Sequence, residues 1–296
     1  MRLGFVGSAH RTLGCHPDKS FRLASYSEER LILMVQKNLE CIVKTLEFNL
    51  ANNIRFYRIA DFIPFASHPI CSFDYVEYFR LIFHALGKFI QENEFRISMH
   101  PGQYVLLNSQ NKEVLQKGID ELNYNTSVLD AMGLDKTAKV QIHVGGVYKN
   151  KKEAIDRFIR NFKDLPEAIK DRLVIENDDR SYNLDDCLSI HQKTGIPVVF
   201  DVFHHSLFSK GESIQNAVEL VYRTWKKADG VLMVDYSTQE PEMKIGRPAS
   251  TIDLVAFREF MGETIGFDFD VMLEVKDKEK SAIKAISLLK ELGRVR

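Results

Sequence analysis

The stretch Ile196-Pro197-Val198-Val199-Phe200-Asp201-Val202-Phe203-His204-His205-Ser206 begins as an apolar run and ends in an acid followed by two histidines. Its first half has the length and β-branched content of a buried strand. Its second half raises the question of why Asp201, His204 and His205 stand where such a strand stops. Imidazole nitrogens and a carboxylate converging on one point bind a divalent cation, but the same residues alone are equally ordinary as a hydrogen-bonded strand end. The choice depends on whether the pattern recurs.

It recurs along the whole chain. Eight short β-type runs occupy residues 2–7, 56–60, 95–99, 139–144, 173–176, 197–201, 231–235 and 271–275. Longer amphipathic stretches at helical spacing fill the intervals: 27–52, 73–93, 113–132, 151–171, 184–194, 213–227, 251–263 and 278–292. Ser27 followed by Glu28 and Glu29 reads as a helix start. Eight β-then-α units over 296 residues predict a (β/α)8 TIM barrel built as one α/β domain spanning residues 1–296. A doubly wound open sheet is the alternative, weakened by the lack of a GxGxxG turn after the first strand. In a barrel, chemistry gathers at the C-terminal ends of the strands.

Composition narrows the function classes. Lys and Arg number 40 against 41 Asp and Glu, so no global field draws the chain to nucleic acid or to an anionic membrane, and any polyanion must be met by a local patch. No apolar run reaches the roughly 20 residues of a membrane helix, which predicts a protein with no membrane partner. Cys15, Cys41, Cys71 and Cys187 are widely spaced, form no CxxC pair and follow no secretory signal. Free thiols and a cytoplasmic location are expected.

The strand ends repeat the chemistry of the opening stretch. Beyond the second lies His68, the third ends at His100, the fourth at His143, the fifth at Glu176, the sixth at Asp201 with His204 and His205, the seventh at Asp235 and the eighth at Glu274. So many carboxylates and imidazoles sharing one barrel mouth would repel or desolvate one another unless cations stood between them. His10, His16, His84 and His191 fall in the first loop or within helical stretches and are not expected to be ligands. Nitrogen and hard oxygen without thiolate suit Mn²⁺, Zn²⁺, Fe²⁺ or Mg²⁺. Two or three ions bridged by Glu176, with Glu176, Asp201 and Glu274 as the catalytic carboxylates, would suit phosphodiester hydrolysis, and a sugar isomerase or epimerase could use a subset of the same ligands.

The motifs Ser67-His68-Pro69, His100-Pro101-Gly102-Gln103-Tyr104, Ile142-His143-Val144-Gly145-Gly146, Glu176-Asn177-Asp178-Asp179 and Asp201-Val202-Phe203-His204-His205 resemble, in order and spacing, those of the ultraviolet damage endonuclease family. The resemblance runs from Arg2 to Lys278. It implies a TIM barrel related in architecture to endonuclease IV that nicks double-stranded DNA immediately 5′ of ultraviolet photoproducts, with a cluster of two to three divalent ions, commonly manganese. It implies metal ligation by His68, His100, His143, Glu176, Asp201, His204 and Glu274. It also makes Gln103 and Tyr104 the pair wedged into the helix at the lesion, a role that a planar aromatic and an amide are able to fill. His205, next to His204, is expected to face away or to support the ligands. Lys149, Lys151, Lys152, Lys210 and Lys276 are expected to ring the mouth and meet phosphates, and the protein is expected to act as a monomer.

The seventh strand, Val231-Leu232-Met233-Val234-Asp235-Tyr236-Ser237, departs from the family pattern, which has a carboxylatable lysine and, two residues later, a histidine. A thioether is a poor ligand for a hard cation, so Met233 offers nothing, and Asp235 is expected to supply an oxygen in place of the histidine. The ion this strand would hold is therefore weakened, and a weakly active lesion-binding descendant becomes an alternative. Phe5, where the family often has tyrosine, is expected to remove a hydroxyl from the DNA-facing surface.

Overall fold

The computed structural model describes residues 1–295; Arg296 and the side chain of His10, for which no ligand role is expected, lie outside the described residues. Eight parallel strands close on themselves in chain order: β1 (Leu3–Val6), β2 (Phe56–Ile59), β3 (Arg96–Met99), β4 (Lys139–His143), β5 (Leu173–Glu176), β6 (Val198–Asp201), β7 (Leu232–Tyr236) and β8 (Phe269–Leu273). Six of the predicted runs contain their strand, whereas β7 ends one residue beyond 231–235 and β8 begins two residues before 271–275. Helices fill the intervals and shield the outer faces of the strands, giving the TIM barrel that the alternation predicts.

Strand alternation sorts the side chains into two populations. Leu3, Phe5, Tyr57, Ile59, Ile175, Phe200 and Val234 belong to the large core shared with the helices. Phe56, Val174, Val199, Met233 and Met272 form a separate buried cluster. Two residues further along the same strands come Arg58, Glu176, Asp201, Asp235 and Glu274, and the period of two brings them to the same side as that cluster. The lumen is thus an apolar plug below a charged layer, and burying each plug side chain contributes ~1.5–3 kcal/mol. β1 comes so close to β2 that a Cβ on Gly4 would stand 1.9 Å from the Phe56 carbonyl oxygen, a packing open to glycine alone.

Several details differ from expectation. Phe5 is fully buried in the core between barrel and helices, so it has no part in a DNA-facing surface. The stretch 151–171 is two helices, Lys151–Lys163 and Glu167–Lys170, because Pro166 stops continuation. The stretch 73–93 is likewise divided into Tyr75–Tyr78 and Arg80–Glu92. Ser27 does cap Glu28–Ala51, its side chain accepting from the Arg30 N–H. Cys15 and Cys41 are joined in a disulfide, against the expectation of free thiols, whereas Cys71 and Cys187 are free. The loop after β1 folds back onto that helix and brings the two Cα atoms to 5.9 Å, a proximity that spacing along the chain does not encode. No helix among the described residues is long and apolar enough to cross a membrane.

Candidate metal centre

The centre begins with register. β4 and β5 pair so that His143 stands opposite Glu176, and both side chains turn into the barrel mouth, where His143 Nε2 lies 2.9 Å from Glu176 Oε1. From the end of β3, His100 brings its Nε2 to 3.4 Å from the same oxygen. Ligand atoms of His100, His143 and Glu176 lie within 4.8 Å of one another, close enough for one divalent cation to meet all three. Carboxylate oxygens of Glu176, Asp201 and Asp235 likewise lie within 4.8 Å of one another. Two imidazoles with carboxylates and no thiolate form a donor set that fits a borderline or hard divalent ion.

His204 reaches the centre by a different route. β6 ends at Asp201, which caps the short helix Val202–Leu207 by accepting the His204 N–H at 2.7 Å. That turn swings the His204 ring back, so Nδ1 lies 3.1 Å from Asp201 Oδ2 and 3.0 Å from the Asn177 carbonyl oxygen. With Nδ1 engaged, Nε2 is the nitrogen left to meet an ion. The His100 and His143 ring centroids are 5.3 Å apart, and His143 and His204 6.0 Å. His205 turns the other way, as expected: its Nε2 is 3.1 Å from the Glu212 carbonyl oxygen and its ring packs on Phe200.

Burial and charge act against each other here. Burial alone would lower the His143 pKa, but the Glu176 carboxylate and its hydrogen bond override it and raise the group to about 9. His204 is raised too, its burial outweighed by Asp201, Glu176 and Glu274. Glu176 goes the opposite way, held well below the usual carboxylate range by His143 and His100 despite complete burial. Asp201 is pushed up to about 7 by burial and by Glu274 and Glu176, against the pull of His204.

Three residues at the centre carry no signal in the strand-end pattern. Arg58 rises from the middle of β2 and is 1% exposed. Its Nη1 donates to Glu274 Oε1 at 2.5 Å, and Nη2 donates to Asp235 Oδ1 at 2.7 Å and to Gln141 Oε1 at 2.9 Å. Gln141, two residues before His143 on β4, donates its amide to Asp235 Oδ2 at 2.5 Å and also to Glu176. Burial raises the Asp235 carboxyl well above the usual range and Arg58 opposes it. Because both oxygens of Asp235 face N–H donors, the contacts suit the anion. An arginine inside the apolar run Phe56-Tyr57-Arg58-Ile59 was the available signal. Asn177 is the third; it clamps the end of β6 by donating to the Asp201 carbonyl and accepting the Asp201 N–H.

Other expected residues lie further out. His68 is exposed and does not join the converging groups. Phe65 adopts the left-handed conformation (φ 61°) with its ring against Phe21 and Tyr26, and the turn that follows leaves His68 Nδ1 accepting the Ile70 N–H. Gln103 and Tyr104 are both exposed on the loop after β3, Tyr104 at 56%. Gln103 borders a cleft of about 330 Å³ that it shares with His143, and Tyr104 borders one of about 310 Å³ shared with His68, Asp61 and Glu121. Of the expected phosphate-binding lysines, Lys149, Lys152, Lys210 and Lys276 are exposed, Lys210 in an ion pair with Asp185, whereas Lys151 is half-buried and paired with Asp186.

The UV-endonuclease UvdE family matches this chain over residues 1–296. A UV DNA damage endonuclease of Clostridium perfringens is 38% identical over 297 residues, covering 99% of this chain and 72% of that protein. Another from Bacillus mycoides is 33% identical over 302 residues, covering 99% of this chain and 95% of that one. The crystal structure of SacUVDE is similar with a TM-score of 0.95 and 48% identity, covering 99% of each chain. An L-ribulose 3-epimerase, at TM-score 0.56 and 17% identity over 89% of this chain and 83% of that one, shares the fold alone.

Proposed function

The chain belongs to the UV-endonuclease UvdE family, and on that premise we propose that it is a metal-dependent endonuclease that hydrolyses the phosphodiester bond immediately 5′ of ultraviolet photoproducts in double-stranded DNA. The observation that carries this reading is the convergence of His100, His143 and Glu176 within 4.8 Å, beside Asp201 and His204, at the mouth of the barrel. His100, His143, Glu176, Asp201 and His204 would hold divalent ions, manganese being the ion proposed. Bound there, such ions activate water and neutralise charge on the reacting phosphate and leaving oxygen.

The remaining work falls to the protein. Glu176, central to both groups of ligand atoms, has its Oε1 facing His100 Nε2 and His143 Nε2 in the ion-free chain, so the atoms an ion would join already stand together. Asp201 and the Asn177 carbonyl fix the His204 ring. On the rim, exposed Tyr104 and Gln103 would enter the duplex at the lesion, where unstacking is easiest. Exposed Lys149, Lys152 and Lys276 supply local positive charge to meet phosphates on a chain whose formal net charge is −1. Comparing the nicking of ultraviolet-irradiated and unirradiated supercoiled plasmid in manganese tests this function.

A further inference from the structure

Four carboxylates, Glu176, Asp201, Asp235 and Glu274, stand in the charged layer of the lumen, and Arg58 reaches into that layer from the opposite wall. Its guanidinium spans Asp235, Glu274 and Gln141 with hydrogen bonds of 2.5–2.9 Å. Arginine keeps its charge throughout the pH range of a folded protein, and its planar fork matches two carboxylates better than a lysine would. Beneath Asp235, Met233 packs in the apolar cluster with Phe56, the residue two before Arg58 on β2. The seventh strand therefore presents a thioether to the plug and a carboxylate whose two oxygens are already held, Oδ1 by Arg58 and Oδ2 by Gln141.

We propose that the Arg58 guanidinium is a resident cation of the centre, occupying the place of one divalent ion between Asp235 and Glu274. The proposal rests on the metal-dependent reading above and refines it. Ions are confined to the side formed by His100, His143, Glu176, Asp201 and His204, and the centre takes two of them, not three. Asp235 is then a positioning residue, which holds Arg58 and Gln141 and through Gln141 orients Glu176. The departure at Met233 and Asp235 is compensated by an arginine from across the barrel rather than left as a damaged ion site.

The test counts manganese per chain by elemental analysis after loading and desalting, in the wild type, Arg58→Met and Asp235→Asn. The expected counts are two for the wild type, two for Asp235→Asn and three for Arg58→Met, where the freed carboxylates of Asp235 and Glu274 capture an extra ion. Three ions in the wild type, one in Asp235→Asn, or two in Arg58→Met would each overturn the proposal while leaving metal dependence standing. No retained manganese in any of the proteins would overturn it together with its premise. Should Arg58→Met fail to fold, the wild-type and Asp235→Asn counts still decide.

Discussion

His143 Nε2 stands 2.9 Å from Glu176 Oε1 across two register-paired strand ends. In the ion-free protein this contact holds the imidazole protonated up to about pH 9. A metal ligand must be the neutral ring, so ion and proton compete for the same nitrogen. Manganese binding at pH 7 should release about one proton per ion at this position, and affinity should rise ~tenfold per pH unit until about pH 9. Titration calorimetry in buffers of different ionisation enthalpy measures the release. The same shift stabilises the ion-free fold below the ordinary histidine pKa, and that contribution is lost as the pH rises through about 9.

Glu176 accepts from both His100 and His143 and is fully buried at the centre. Glu176→Gln keeps its volume but removes the anion and one ligand oxygen. Manganese affinity should fall by on the order of 100-fold or more, and nicking of irradiated plasmid should fall with it. Parallel calorimetry and plasmid assays check this, and loss of nicking with unchanged manganese affinity would contradict it.

Tyr104 is 56% exposed. Tyr104→Ala should therefore change stability by no more than ~0.5 kcal/mol. Stacking of an aromatic on a base is worth ~1–3 kcal/mol, so the preference for irradiated over unirradiated DNA should drop by on the order of 10-fold or more. Melting curves and competition nicking assays read the two effects separately.

Asp61 lies beside the Tyr104 cleft, and its Oδ1 is buried with no hydrogen-bond partner among the described residues. Burial, together with Glu121, pushes it up to about 7. From about pH 4 to pH 7 the folded chain retains this proton while the unfolded chain releases it, so stability falls across that window and then levels off. Asp61→Asn removes the penalty and should stabilise the protein at pH 8 by up to ~4 kcal/mol, with no gain at pH 4. Thermal unfolding at the two pH values tests the sign.

The eight strands and most of the centre were legible because apolar runs of strand length end repeatedly in His, Asp or Glu, and a barrel brings such ends together. His100, His143, Glu176, Asp201 and His204 met as that logic required. Arg58 escaped notice because a single arginine in a four-residue strand gives no sign of which face it takes. Its partner Asp235 is 177 positions away and becomes a neighbour only when the sheet closes. His68 stands apart from the converging groups for a local reason: the turn after β2 passes through the left-handed Phe65, a conformation that its residue type does not announce. The Cys15–Cys41 bridge likewise depends on how the loop after β1 folds back.

The central claim is lesion-dependent, metal-dependent strand cleavage, and the most direct measurement incubates the manganese-loaded protein with supercoiled plasmid, irradiated or not, and maps the nicks. The account predicts single nicks immediately 5′ of photoproducts in irradiated plasmid, suppressed by chelator and restored by manganese. Protein that retains manganese but nicks both plasmids equally, or neither, would contradict it.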